Sequence, residues 1–359
     1  MNIFPKKTGA QSWLAATVLL ILLFIPFTAC NQDGVGIFYQ ISQEQAQKDS
    51  KIGEMSVYQV AEANGGQLYA LGGRSVYRYN TGNEEWSRIS GDNYVYDIVT
   101  NTDDTLYATI NNDDTSLDEG RLMSFDGSTW SLEASYNTDA TLFNADGTFI
   151  LVKGIGTVDS VGSSADLSVT PDPVNETNVT TLVHDGVSGD ASEDFLISPG
   201  ALYGNVFGTL SELTPSSLAG VSGDYRGLAS DGSNNLYLTT SSGQIYSSPD
   251  GGDATWTLED TISSEPVQGS LAVVDIGGTD YLIIGTDDGY YEMEIGVSVA
   301  LGPTVTADTA DPDEFAAKYP DLAASLILKV YPSATADVFY LGTEKGLWRR
   351  NAAGSFESL

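Results

Sequence analysis

The chain has 359 residues, with 15 Lys and Arg against 49 Asp and Glu and a formal net charge of −34 at pH 7. Such a surface repels nucleic-acid phosphates and anionic lipid headgroups, so neither is expected as a partner. A single Cys and a single His exclude an intrachain disulfide and the usual Cys/His zinc sets, so an extracytoplasmic fold here has to stand on packing alone.

In chain order, Lys6 and Lys7 precede an almost uninterrupted apolar run over 13–27, broken by Pro26, and Phe27-Thr28-Ala29-Cys30 closes it with small residues. The run is short for a spanning helix and lies beside a small-residue cleavage point. It resembles a bacterial lipoprotein signal peptide. The resemblance implies that 1–29 is removed, that Cys30 is lipidated and becomes the first mature residue, and that the protein sits in the bacterial cell envelope on a lipid anchor. An ordinary secretory leader or an uncleaved anchor is the other reading. Cys30, the only cysteine, falls where the lipoprotein box requires it. Asn31 in place of Asp resembles the outer-membrane sorting pattern of Gram-negative lipoproteins, with the protein on the periplasmic or the surface face. Residues 30–56 then form a tether. Within it, 37–41 has strand character and either pairs near the C-terminal strands to close a ring or runs as an extended linker.

The stretch 64–89, NGGQLYALGGRSVYRYNTGNEEWSRI, reads as three short strands separated by Gly and Asn turns. A sheet this small needs copies of itself to pack against. The signature is a turn, an apolar-aromatic pair, a Gly and a second aromatic strand. It recurs at Leu68-Tyr69, Leu106-Tyr107, Phe149-Ile150, Leu202-Tyr203, Leu236-Tyr237, Tyr281-Leu282 and Phe339-Tyr340. A further strand opens several units, as at 57–60, 96–99, 271–274 and 326–330. Periods of a few tens of residues mean stacked units, and four short strands per unit describe a propeller blade. The expected fold is all-β: a seven-bladed β-propeller of four-stranded antiparallel blades over 57–359, behind the signal peptide. Two stretches, 158–178 and 302–321, are expected to project as long loops, with room for one or two helical turns within 313–328.

Local motifs resemble known propellers. Gly72-Gly73, Tyr79 and Trp86 look like a kelch repeat. The segment Ser248-Pro249-Asp250-Gly251-Gly252-Asp253-Ala254-Thr255-Trp256 is similar to the Asp-box (BNR) turn of sialidase-type propellers. IGTDDGYY at 284–291 and LGTEKGLW at 341–348 resemble the blade hairpin of many extracytoplasmic propellers.

No catalytic set assembles from these residues. His184 is expected at a surface turn, and no G-x-S-x-G elbow accompanies it. A sialidase-like site would need an arginine cluster from Arg74, Arg78, Arg88, Arg121, Arg226, Arg349 and Arg350. The Arg-Ile-Pro segment of that family is absent. Acid clusters at 113–114, 118–119, 185–194 and 308–314 lack EF-hand spacing and read as solvated loops. Trp86, Trp130, Trp256 and Trp348 recur at blade strands and are expected in the core between blades.

The expectation is therefore a non-enzymatic, monomeric binding or scaffolding module for a protein or a glycan, with no cofactor, no metal and no nucleic acid. An outer-membrane assembly accessory and a sialidase-like glycoside hydrolase are the alternatives.

Overall fold

Adjacent residues of one strand point to opposite faces, so a strand whose neighbours are all buried lies in a sheet covered on both sides. Leu68 and Tyr69 are each 3% exposed, and this dual burial organises the chain. The structure is a computed structural model. It describes residues from Ile52 to Leu359 except 53–54, 64, 92–93, 102–103, 112–119, 137–140, 146–148, 155–156, 164–180, 185–193, 199, 205–210, 213–220, 234, 250–255, 298–299, 303–305 and 310. The leader 1–29, Cys30 and the strand expected at 37–41 lie outside the described residues.

Strands pair with their sequence neighbours, antiparallel throughout. The first sheet is β1 (Val57–Glu62), β2 (Leu68–Gly72), β3 (Ser75–Asn80) and β4 (Glu85–Arg88). The second is β5 (Tyr94–Thr100), β6 (Leu106–Asn111), β7 (Gly120–Phe125) and β8 (Trp130–Tyr136). The third has β9 (Thr141–Ala145), β10 (Phe149–Gly154) and β11 (Thr157–Ser163). The fourth is β12 (Thr181–His184), β13 (Asp194–Ser198), β14 (Ala201–Gly204) and β15 (Ser211–Glu212). The fifth is β16 (Tyr225–Ser230), β17 (Leu236–Thr240), β18 (Gln244–Ser248) and β19 (Thr257–Thr261). The sixth is β20 (Pro266–Ile276), β21 (Thr279–Thr286), β22 (Tyr290–Glu294) and β23 (Ala300–Leu301). The seventh is β24 (Ile327–Pro332), β25 (Phe339–Thr343), β26 (Gly346–Arg350) and β27 (Phe356–Ser358).

First strands succeed one another in space: β1 lies against β5, β5 against β9, and so on through β12, β16, β20 and β24, and β24 returns to β1. The core consists of clusters between consecutive sheets. This explains the apolar-aromatic pair. Leu68 packs into the cluster between the seventh and first sheets and Tyr69 into the one between the first and second. Leu236 and Tyr237 divide in the same way around the fifth sheet, and Phe339 and Tyr340 around the seventh. Trp86 and Trp256 are buried in such clusters. Trp130 stacks on Phe125 at 5.0 Å, and Trp348 packs against Tyr319.

Where two sheets close on each other, glycine makes the approach possible. A Cβ on Gly342 would meet the Val57 carbonyl oxygen at 2.6 Å, and one on Gly285 would meet Ile327 Cγ2 at 2.8 Å. Gly342→Ala is therefore expected to cost about 1–3 kcal/mol by overpacking, seen as a lower urea midpoint with an unchanged slope. An unchanged midpoint would show that the seventh and first sheets are not in close contact. The hairpins that follow these glycines are alike. The Thr286 hydroxyl donates to the Gly289 carbonyl (2.8 Å) and accepts from the Asp288 amide, and Thr343 does the same with Gly346 (3.0 Å) and Lys345.

Three expectations are corrected. The stretch 158–178 begins in strand, since β11 runs to Ser163 and pairs with β10. Leu202-Tyr203 lies on the third strand of its sheet; the second is β13, with Phe195 and Ile197 buried. The third correction concerns 302–321, which does not simply project. It contains helix α1 (Pro312–Lys318), capped by the Asp311 side chain with Pro at its start, and the short α2 (Pro320–Ala323). Phe315 and Leu322 are 1% and 0% exposed and belong to the core between the sixth and seventh sheets. Phe315 on α1 and Leu322 on α2 carry that docking, so the segment folds back as a strap.

Candidate interaction surface at the inner-strand end

Several first strands carry a bulge near their start. Register shifts between Val57 and Gln59, Val95 and Asp97, Tyr225 and Gly227, and Ile327 and Lys329 leave Tyr58, Tyr96, Arg226 and Leu328 as the extra residues. A bulge bends its strand and re-aims a side chain. Tyr58 is 53% exposed, Tyr96 40% and Tyr94 39%. Among the described residues, three of the six exposed large hydrophobics thus fall at the starts of two neighbouring inner strands. Leu132 and Leu258, also exposed, sit singly on outer strands.

Hydrogen bonds between sheets place these starts and the turns between second and third strands at one end. The Val95 amide donates to the Arg74 carbonyl (2.9 Å), the Gly289 amide to the Ser325 carbonyl (2.8 Å), and the Ser56 hydroxyl to the Glu344 carbonyl (3.2 Å). The Arg74 guanidinium stands 5.8 Å over the Tyr94 ring. Arg226 pairs with Glu265, and Lys345 with Glu344 at 3.4 Å.

Just past the bulges is a polar layer. Gln59 Nε2 donates to Asp97 Oδ1 (3.2 Å), which also accepts the Ile98 amide (2.8 Å). Lys329 Nζ donates to the Gly269 carbonyl at 3.4 Å. Burial pushes the Lys329 ammonium below the ordinary lysine value, and the Asp97 carboxylate works in the opposite sense.

The other singled-out residues do not join this layer. Arg78 donates to the Gly127 carbonyl on the next sheet, Arg349 pairs with Glu357, and Arg88 and Arg121 lie on a fourth and a third strand. Arg350 is buried, donating to the carbonyls of Thr306 and Asp337. The seven arginines are thus distributed over several sheets, each in its own setting. His184 ends β12 opposite Asp194 rather than sitting in a turn. The Asp-box over 250–255 and the acid clusters 113–114, 118–119 and 185–193 lie outside the described residues. The acids of 308–314 serve the strap: Asp308 accepts from Lys318 and Tyr319, Asp311 caps α1, and Asp313 and Glu314 occupy its first turn.

The exposed tyrosines were not among the residues predicted to form a site. A signal existed: Val57-Tyr58-Gln59-Val60 and Val95-Tyr96-Asp97-Ile98 repeat one pattern on the opening strands of neighbouring units.

No family model matches the chain, and no curated protein matches it in sequence. Among solved structures, the extracellular domain of BT4673 from B. thetaiotaomicron superposes with a TM-score of 0.58 at 14% identity, over 82% of this chain and 38% of that one. The chain therefore spans well under half the length of that structure. The WD40 β-propeller domain of Doa1 superposes with a TM-score of 0.57 at 11% identity, over 83% of this chain and 92% of that one. A chain of a mitotic checkpoint complex gives a TM-score of 0.52 at 10% identity, over 80% and 85%. At such identities the likeness speaks for the fold alone: the chain is an all-β protein of β-propeller type, built from antiparallel, mostly four-stranded sheets.

Proposed function

We propose that the chain is a seven-bladed β-propeller, anchored in the bacterial envelope through a lipid on Cys30, that acts outside the cytoplasm as a protein-interaction module. The seven sheets among the described residues, and the cycle of contacts from β1 back to β24, support the blade count. The leader supports the anchor and an outer-membrane address. No helix among the described residues is long and apolar enough to cross a membrane, and one structural neighbour is an extracellular domain. The kelch-like and Asp-box-like segments are blade packing and turn chemistry in this reading, and the chain performs no catalysis.

The observation that carries the reading is the group of exposed tyrosines at the inner-strand end. Tyrosine brings large contact area at low entropic cost and is enriched at protein interfaces, and propeller ends gather residues from every blade. A photo-crosslinking residue at position 58 or 96, in intact envelopes, is expected to capture a defined protein, whereas one at position 132 is not. Equal capture at position 132 would refute the surface, and capture of polysaccharide alone would change the ligand class. In the same cells Cys30→Ala is expected to move the protein to the soluble fraction; retention in the membrane would refute the anchor.

A further inference from the structure

We infer that the occupant of the inner-strand end is a cationic segment of a protein partner, an exposed run bearing arginine or lysine; this rests on the interaction surface proposed above and names its ligand. The first support is the charge of −34 over the whole chain, which draws cationic partners toward it and repels anionic ones.

The second is the local chemistry. A tyrosine ring attracts a cation over its face, and this end already holds one such contact, Arg74 over Tyr94. Tyr58 and Tyr96, 53% and 40% exposed, add aromatic surface at the bulges of the neighbouring strands β1 and β5. The third support is the arrangement of charge. Arg226 and Lys345 are engaged by Glu265 and Glu344, while the exposed Asp224, Asp287 and Asp288 form no ion pair among the described residues. Asp224 precedes β16, and Asp287 and Asp288 form the turn between β21 and β22. Aromatic faces thus belong to the first and second sheets and carboxylates to the fifth and sixth. A single cationic group cannot reach both sets. An extended segment with several cationic heads can.

The test uses the full chain in detergent and a fluorescent Gly/Ser peptide bearing several arginines, with its citrulline counterpart as the uncharged control. The arginine peptide is expected to bind and the citrulline peptide not, with affinity falling steeply between about 0.05 and 0.5 M salt as charges are screened. Removing both ring faces in Tyr58→Leu/Tyr96→Leu keeps apolar area and is expected to weaken binding about 5- to 30-fold. Leu132→Ser/Leu258→Ser, on outer strands, is expected to leave it unchanged. Thermal melts confirm that each variant is folded. Equal binding of the citrulline peptide, or no effect of the tyrosine pair, overturns the inference. If crosslinks from positions 58 and 96 reach a protein segment without Arg or Lys, the inference fails while the interaction surface stands. If they reach no protein, both fail.

Discussion

Replacing Arg350 by Met is expected to lower folding stability by about 3–5 kcal/mol, the usual cost of removing one member of a buried charged network. Arg350 is 3% exposed and Glu292 0%. Thr306 joins them: its amide and hydroxyl donate to Glu292, and its carbonyl accepts from Arg350. Tyr290 also donates to Glu292 (3.1 Å), and the Asp337 carbonyl accepts from Arg350 (2.6 Å). Met fills most of the volume but leaves the Thr306, Asp337 and Asn351 carbonyls without this donor and removes a nearby positive charge from the Glu292 carboxyl. The pH dependence is specific. Burial raises the Glu292 carboxyl above its ordinary 4.5, although the Thr306 and Tyr290 donors and the Arg350 charge pull it down. A carboxyl raised in the folded state binds its proton more tightly there than in the unfolded chain. Its contribution is complete below pH 4.5 and is lost as pH rises through the folded value. Without Arg350 the folded value climbs further, so the deficit of the variant widens from pH 4.5 toward neutrality. Urea melts across that range check both points, and a deficit below about 1 kcal/mol, or one independent of pH, would show that Arg350 is not part of such a network.

The repeating pair was legible because it obeys a simple rule. A strand between two sheets must be apolar on both faces, so Leu68-Tyr69 and Leu236-Tyr237 appear as uninterrupted apolar dipeptides that periodicity alone can find. The strap was partly legible. Pro303, Pro312 and Pro320 suggested an irregular loop, and only Phe315, Tyr319 and Leu322, spaced for one helical face, hinted that it docks. Proline at a helix start and proline in a loop look alike until packing decides between them. The fourth unit was misplaced by one strand because Asp194-Phe195-Leu196-Ile197-Ser198 carries no turn-pair-glycine signature, while Ala201-Leu202-Tyr203-Gly204 does. The surface tyrosines were hidden for a different reason. Tyr58 and Tyr96 sit within β-branched runs, where an aromatic reads as core, and their exposure depends on bulges that strand periodicity does not encode.

Phe315→Ala is expected to cost about 3–5 kcal/mol and to release the strap before the sheets unfold. Helix α1 has seven residues, too few to persist by local propensity, so its stability is borrowed from what it packs against. Phe315 is the centre of that contact, with ring centroids 5.2 Å from Tyr319, 5.7 Å from Phe356 and 6.1 Å from Tyr290. The Tyr319 hydroxyl in turn accepts the Phe356 amide and donates to Asp308, and the Asp308 amide donates to the Gly354 carbonyl. Loss of the ring therefore leaves a cavity between the sixth and seventh sheets and loosens the bonds that tie the strap to the hairpin between β26 and β27. Limited proteolysis should then cut within 306–325 under conditions where the sheets remain intact, and the urea midpoint should fall. Phe315→Leu, which keeps most of the volume, is expected to cost less than about 1.5 kcal/mol. If Phe315→Ala melts like the parent and the strap is cut no faster, the segment is surface decoration after all. If the strap is released while the capture of partner from positions 58 and 96 is unchanged, the strap supports the join of two sheets and the inner-strand end works independently of it.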